Sequence, residues 1–164
     1  MKKILGFILL VMLTACSDNA AVEQLKKDYP DVKKMVVELP DTVQERLAAP
    51  ESVPFEPKQV QLKYAGEPPG DPKGDIIHTE FVYGNGKGAV LNVTTFHNEK
   101  TNFHDEGKLK TTKLEDGTKV VIETNSSDVK AIRWKKDDLY YGMMLMGSQF
   151  KMEDLLKAAN SMEY

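Results

Sequence analysis

Three features of this 164-residue sequence predict an α+β fold in a single domain, an antiparallel meander of six to seven strands covered by a C-terminal amphipathic helix. All eight prolines lie between Pro30 and Pro72. Proline cannot donate to a sheet ladder, so the chain beyond about residue 73 is free to form sheet. That later part alternates apolar and polar residues in short runs separated by turn dipeptides, the pattern of half-buried strands. Near the end the apolar period lengthens to that of a helix, and an amphipathic helix following an antiparallel sheet buries its stripe on one sheet face.

The first element is not part of the fold. Lys2 and Lys3 precede an apolar run over residues 4–13, then Thr14, Ala15 and Cys16, the only cysteine. Positive start, apolar segment and small-residue cleavage site are the three parts of a secretory signal peptide. The run is too short to span a bilayer, which takes about 20 residues. Leu13-Thr14-Ala15-Cys16 resembles the bacterial lipobox. That resemblance implies cleavage before Cys16 and a diacylglyceryl group on its sulfur, usually with an acyl group on the new N-terminus. An ordinary signal peptide would leave an unpaired thiol on an exported protein. Several acyl chains, at about 0.8 kcal/mol per buried methylene, hold a protein to a membrane far better than one.

The expected organisation is therefore a signal peptide over residues 1–15 and a lipidated, mobile tether over 16–30. Short helices and an extended Pro-rich entry segment follow over 31–57, then the sheet and helix over 58–164. Removing Lys2 and Lys3 lowers the formal charge from −3 to −5, a mild acidity with no basic face for nucleic acid. No internal disulfide can form, so stability rests on a hydrophobic core, for which the length suffices.

Within the entry segment, Asp31 is placed to cap a helix carrying Val32, Met35, Val36 and Leu39, ended by Pro40. Asp41 and Gln44 have capping-box spacing before a second short helix to about residue 48. Val60, Leu62 and Tyr64 alternate with polar residues in a first strand. "DIIHTEFVY" and "GAVLNVTTF" flank Asn85-Gly86, and "LKTTKL" and "TKVVIET" flank Asp116-Gly117. Both dipeptides favour two-residue hairpin turns. "VKAIRW" and "LYYGMMLM" flank a polar turn at residues 135–138. Consecutive strands usually pair, hence the meander. Met152, Leu155, Leu156, Ala159 and Met162 mark one face of the final helix, and Glu153 and Asp154 sit in its first turn, where the helix dipole favours acids.

The run from Val129 through "IRWKKDDLYYGMMLMG" to "MEDLLKAANSM", with "LPDTVQERL" and "VPFEP" upstream, resembles a domain family of unknown function. That family is found in Gram-positive lipoproteins and in anti-sigma-factor-like ectodomains. The resemblance covers most of residues 39–164 and implies a sheet-and-helix architecture similar to lipoprotein carriers. Its motifs are structural, so it assigns no functional residue. Lys151 departs from it, since the family usually has a serine or threonine helix cap there.

No nucleophile constellation is present: no serine lies in G-x-S-x-G, and "YGNGKG" lacks phosphate-loop spacing and a following helix. Each of the three histidines precedes a glutamate by two residues: His78 and Glu80, His97 and Glu99, His104 and Glu106. Residues i and i+2 of a strand share a face, so His97, Glu99 and His104 are weak metal candidates. The plainer reading is surface histidines beside acids. A two-residue turn at Asn85-Gly86 would set His78 opposite Val93, with His97 roughly 13 Å further along, so His78 and His97 would not share an ion.

Five of the six methionines after residue 15 fall from Met143 onward. Thioethers fill irregular cores and line adaptable apolar sites. Core packing is the plainer reading, and an apolar-ligand groove lined by Met144, Met146, Met152, Leu155 and Leu156 the sharper one. The sequence thus leads to a non-enzymatic, lipid-anchored protein on the extracytoplasmic face of a bacterial cell membrane, acting by protein interaction or envelope sensing. The alternative is a carrier or sensor of a lipid or other apolar ligand held between the sheet and the Met-rich helix. No cofactor is implied, and the membrane is the one partner named by chemistry, through acyl chains on Cys16.

Overall fold

The computed structural model describes residues 19–98, 101, 103 and 109–164. Three short helices open the fold: α1 (Ala20–Asp28), α2 (Pro30–Glu38) and α3 (Asp41–Gln44). The Asn19 side chain caps α1 by accepting from the Val22 N–H at 3.0 Å, with Glu23 in the first turn and Lys26 and Lys27 in the last, matching the helix dipole.

The expectation of a mobile tether as far as residue 30 is corrected here. Asn19 Nδ2 donates to the carbonyls of Leu47 at 3.0 Å and Glu163 at 2.9 Å, and the Ala21 N–H donates to the Glu163 carboxylate at 2.6 Å. Ala21 and Val22 are buried. A polar helix was hidden in the sequence because two small apolar residues and one cap are enough to dock it when the partner surface is distant in the chain.

The caps of the next two helices also differ from expectation. Pro30, not Asp31, begins α2, in the first turn where its missing N–H costs nothing. Pro40 precedes α3, and Gln44 donates its side-chain amide to the Leu39 carbonyl at 2.8 Å instead of closing a capping box with Asp41. Val32 and Val36, four apart, are buried, whereas Val37 on the opposite side is exposed.

After the two-residue β1 (Ala49–Pro50) come seven strands of one antiparallel sheet: β2 (Gln59–Glu67), β3 (Asp75–Gly84), β4 (Val90–Phe96), β5 (Lys110–Lys113), β6 (Lys119–Asn125), β7 (Val129–Lys136) and β8 (Leu139–Met146). Their spatial order is β2-β3-β4-β8-β7-β6-β5. All expected hairpins form, but the meander is divided. One run of three strands and one of four join where β4 pairs with β8 instead of β5, so β5 lies at the far edge. Lys110 and Lys113 mark that short edge strand, a charge pattern that discourages pairing with other chains.

Two of the three turns are longer than two residues. Asn85 Oδ1 accepts from the N–H groups of Lys87 and Ala89, and Gly84 pairs with Val90. Gly86 and Gly88 adopt positive φ. At the second turn Leu114 donates to Thr118 and Gly117 to Leu114, a three-residue loop with Gly117 in the left-handed region. Only the third is a two-residue turn, with Asp137 and Asp138 at φ 48° and 66°.

Helix α4 (Met152–Asn160) and the short β9 (Met162–Glu163), which pairs with β1, complete the chain. Lys151 offers no cap oxygen, but Asp154 accepts from the Lys151 N–H at 2.8 Å, so the helix start is satisfied from inside. The core lies between the helices and one sheet face, with Leu39, Leu47, Leu91, Ile132, Trp134, Leu145 and Leu155 essentially inaccessible. Trp134 stacks on Tyr141 and donates its indole N–H to the Tyr164 hydroxyl at 3.0 Å.

Candidate functional site

Strand alternation sends every second side chain to the face away from this core. On β8, Leu139, Tyr141, Met143 and Leu145 are buried, while Tyr140, Gly142, Met144 and Met146 are only partly so. On β4 the same split leaves Val90, Asn92, Thr94 and Phe96 on the second face. β3 adds His78, Glu80 and Val82, and β7 adds Ala131 and Arg133. The helices pack on the other side, so this face is a half-buried, largely apolar surface at the centre of the sheet.

Phe103 lies on it. Its ring meets the rings of Phe96 and Tyr140 edge-on, at centroid distances of 5.2 and 5.0 Å. The Arg133 guanidinium carbon stands 4.0 Å from the Phe103 centroid, within cation–π range. Arg133 is buried, and its Nε donates to the Glu123 carboxylate at 2.8 Å, which fixes the charge in place. Beside this cluster is a cavity of about 160 Å³ bordered by Glu80, Asn92, Phe96, Arg133 and Met144. Gly142 forms part of its floor. A Cβ there would lie 3.7 Å from the Phe96 ring, so any side chain would take up the space. Asn92 donates to Glu80 at 2.9 Å, and its buried Oδ1 has no partner. The arrangement offers apolar contact, one buried cation and one waiting acceptor, a set suited to recognition.

Cys16, Glu99 and His104 lie outside the described residues. The register places His78 opposite Phe96, not Val93, because the longer loop at residues 85–89 moves the pairing by three. His97 is therefore opposite Ile77, to which its N–H donates at 2.9 Å. The expected separation of about 13 Å from His78 is corrected: the two histidines are neighbours, but on opposite faces. His78 stands beside Phe96 on the open face. His97 faces the core side, its Nε2 2.9 Å from the Thr79 hydroxyl and its Nδ1 unpartnered. Burial, then the charges of Arg46 and His78, lower its pKa to about 4. Among the described residues no group of three His, Cys, Asp or Glu side chains assembles.

The five residues of the expected groove do not come together. Met152 and Leu155 are buried under α4, Leu156 is half-buried against the core, and Met144 and Met146 point to the other face. Between sheet and helix the space is taken by Met143, Leu145 and Leu155 themselves. Strand alternation keeps Met144 and Met146 on one face but turns that face away from α4, leaving Met143 and Leu145 beneath the helix.

Sequence reasoning missed Arg133 and Phe103. Arg133 sits at a polar position of the alternation and reads as a solvated charge. Phe103 was the clearer signal, a lone aromatic in an otherwise polar stretch.

Comparison with protein-family models, curated proteins and solved structures finds no match to this chain. No helix among the described residues is long and apolar enough to cross a membrane.

Proposed function

We propose that this protein is a lipid-anchored extracytoplasmic lipoprotein that works by binding, not by catalysis, with the open sheet face as its contact surface. The observation that carries the binding half is the cluster of Phe96, Phe103, Tyr140, Arg133 and Met144, a central apolar patch with a buried arginine. Aromatic, Met and Arg side chains are the types enriched where proteins meet. The anchoring half rests on the lipobox at Cys16, in line with the resemblance to lipoprotein domains read from the sequence.

Cleavage before Cys16 would leave three residues, 16–18, ahead of Asn19, whose side chain is bonded to the body of the domain. Three residues reach roughly 10 Å. The domain would then rest close to the bilayer, with β1, β9 and the start of α1 nearest to it.

Mass spectrometry of the N-terminal peptide from membranes of the native host tests the anchor. The expected species begins at diacylglyceryl-modified Cys16 and disappears in Cys16→Ala. An unmodified Cys16 within a longer chain would overturn it. A second reading, an apolar-ligand carrier, is favoured by the 160 Å³ cavity beside Met144. A ligand bound there would travel with the purified protein in native mass spectrometry.

A further inference from the structure

We propose that the edge of the sheet along β2 is a dimerisation edge, taking β2 of a second copy of this chain in antiparallel pairing centred on Leu62. The site is separate from the open sheet face and does not depend on it.

β2 is an outer strand, with β3 as its neighbour on one side. The ladder shows which of its backbone groups are spare. The His97 N–H donates to the Ile77 carbonyl, and the Asn85 N–H to the Ala89 carbonyl. In β3, therefore, odd-numbered residues turn their backbone groups to β4 and even-numbered ones to β2. The Gly84 carbonyl obeys this rule, accepting from the Lys58 N–H. The register sets His78, Glu80, Val82 and Gly84 against Ala65, Lys63, Gln61 and Gln59. Val60, Leu62 and Tyr64 consequently point their N–H and C=O groups outward, and no hydrogen bond to those groups forms among the described residues. The opposite edge, β5, has four residues with a lysine at each end, a protected edge. β2 has nine, and Lys63 is the one charge over residues 59–65. Pro57 and the bulge between Ala65 and Gly66 limit the usable edge to that stretch.

The strand is complementary to itself. One antiparallel register matches all three outward residues with outward residues of a copy: Leu62 with Leu62, Val60 with Tyr64, and Tyr64 with Val60. On the core face this sets aromatic beside β-branched and leucine beside leucine, favourable cross-strand neighbours. On the other face Lys63 meets Gln61 of the copy, whose amide oxygen is an acceptor for the ammonium. A slip of two residues either way leaves an outward residue unpaired, and one of the two slips sets Lys63 against Lys63. The two-fold axis stands perpendicular to the sheet, so the helices of both copies lie on the same side and the contact is isologous.

Sedimentation velocity of the full chain in detergent, over a range of concentrations, tests the pairing. The expected result is a dimer in exchange with monomer. Gln61 is exposed and lies beside Val82 in its own sheet. Gln61→Lys sets lysine opposite Lys63 twice per dimer and should weaken association about twofold to thirtyfold. Adding Lys63→Gln removes the repulsion and should restore the native affinity. Net charge alone predicts the reverse for the single variant, since each chain carries a formal −3 and an added lysine reduces repulsion between copies. A monomer at every concentration would overturn the proposal and leave the edge to a strand of another protein. A Gln61→Lys dimer as tight as the native one, or a double variant no tighter than the single, would overturn it equally.

Discussion

His97 is the residue whose surroundings differ most from what its local sequence suggests. A histidine two places before a glutamate looks like a surface pair, yet this one is enclosed, bonded to Thr79 at the wall of a cavity beside α3. The cause is remote: the length of the loop at residues 85–89 sets the register, and register decides which face a side chain takes. A pH dependence follows. His97 titrates at about 6.5 when unfolded and at about 4 when folded, with Arg46 and His78 adding to the effect of burial and Lys73 and Asp75 facing the same cavity. Between those values the unfolded chain holds more protons, so stability is full above about pH 6.5 and declines as the pH falls toward 4, by at most about 3 kcal/mol. Urea unfolding midpoints of the native protein and of His97→Gln, compared at neutral and mildly acid pH, check this. The variant should lose the His97 share of the slope, and parallel curves would count against it.

At the scale of elements, type and order were legible and connections were not. Period-two runs named all seven strands of the main sheet, and the longer period named α4, because burial on one face imposes those repeats. Turn dipeptides were poorer guides. Asn85-Gly86 and Asp116-Gly117 both mark turns, but side-chain acceptance by Asn85 and the left-handed Gly117 lengthen the loops. The tight turn is the one without glycine. Asp137 and Asp138 both sit at positive φ, where a side chain strains the backbone and glycine does not. Asp138→Gly should therefore raise stability by about 0.5–1 kcal/mol, measured as a higher urea midpoint with an unchanged slope. The exposed pair that Asp138 makes with Lys135 contributes little against that. The pairing of β4 with β8 was beyond any local signal, since it depends on how the long connection to β5 is routed.

For the whole molecule, the division of the sheet into two faces is the feature with functional weight. One face is closed by α2 and α4 around Leu39, Leu145 and Leu155. The other keeps Phe96, Tyr140, Met144 and Met146 half-buried around Arg133 and Phe103. The sequence showed that methionines cluster, but a run such as "MMLM" is shared between both faces, so the half that packs the core concealed the half that does not. The central claim is that this second face is the contact surface of a membrane-anchored protein. Hydroxyl-radical footprinting in native membranes tests it most directly, with oxidation of Met144 and Met146 compared against the purified protein and exposed Val37 as the internal standard. The account predicts that both methionines are protected in the membrane while Val37 is labelled equally in the two samples. Equal labelling of Met144 and Met146 in both would contradict it.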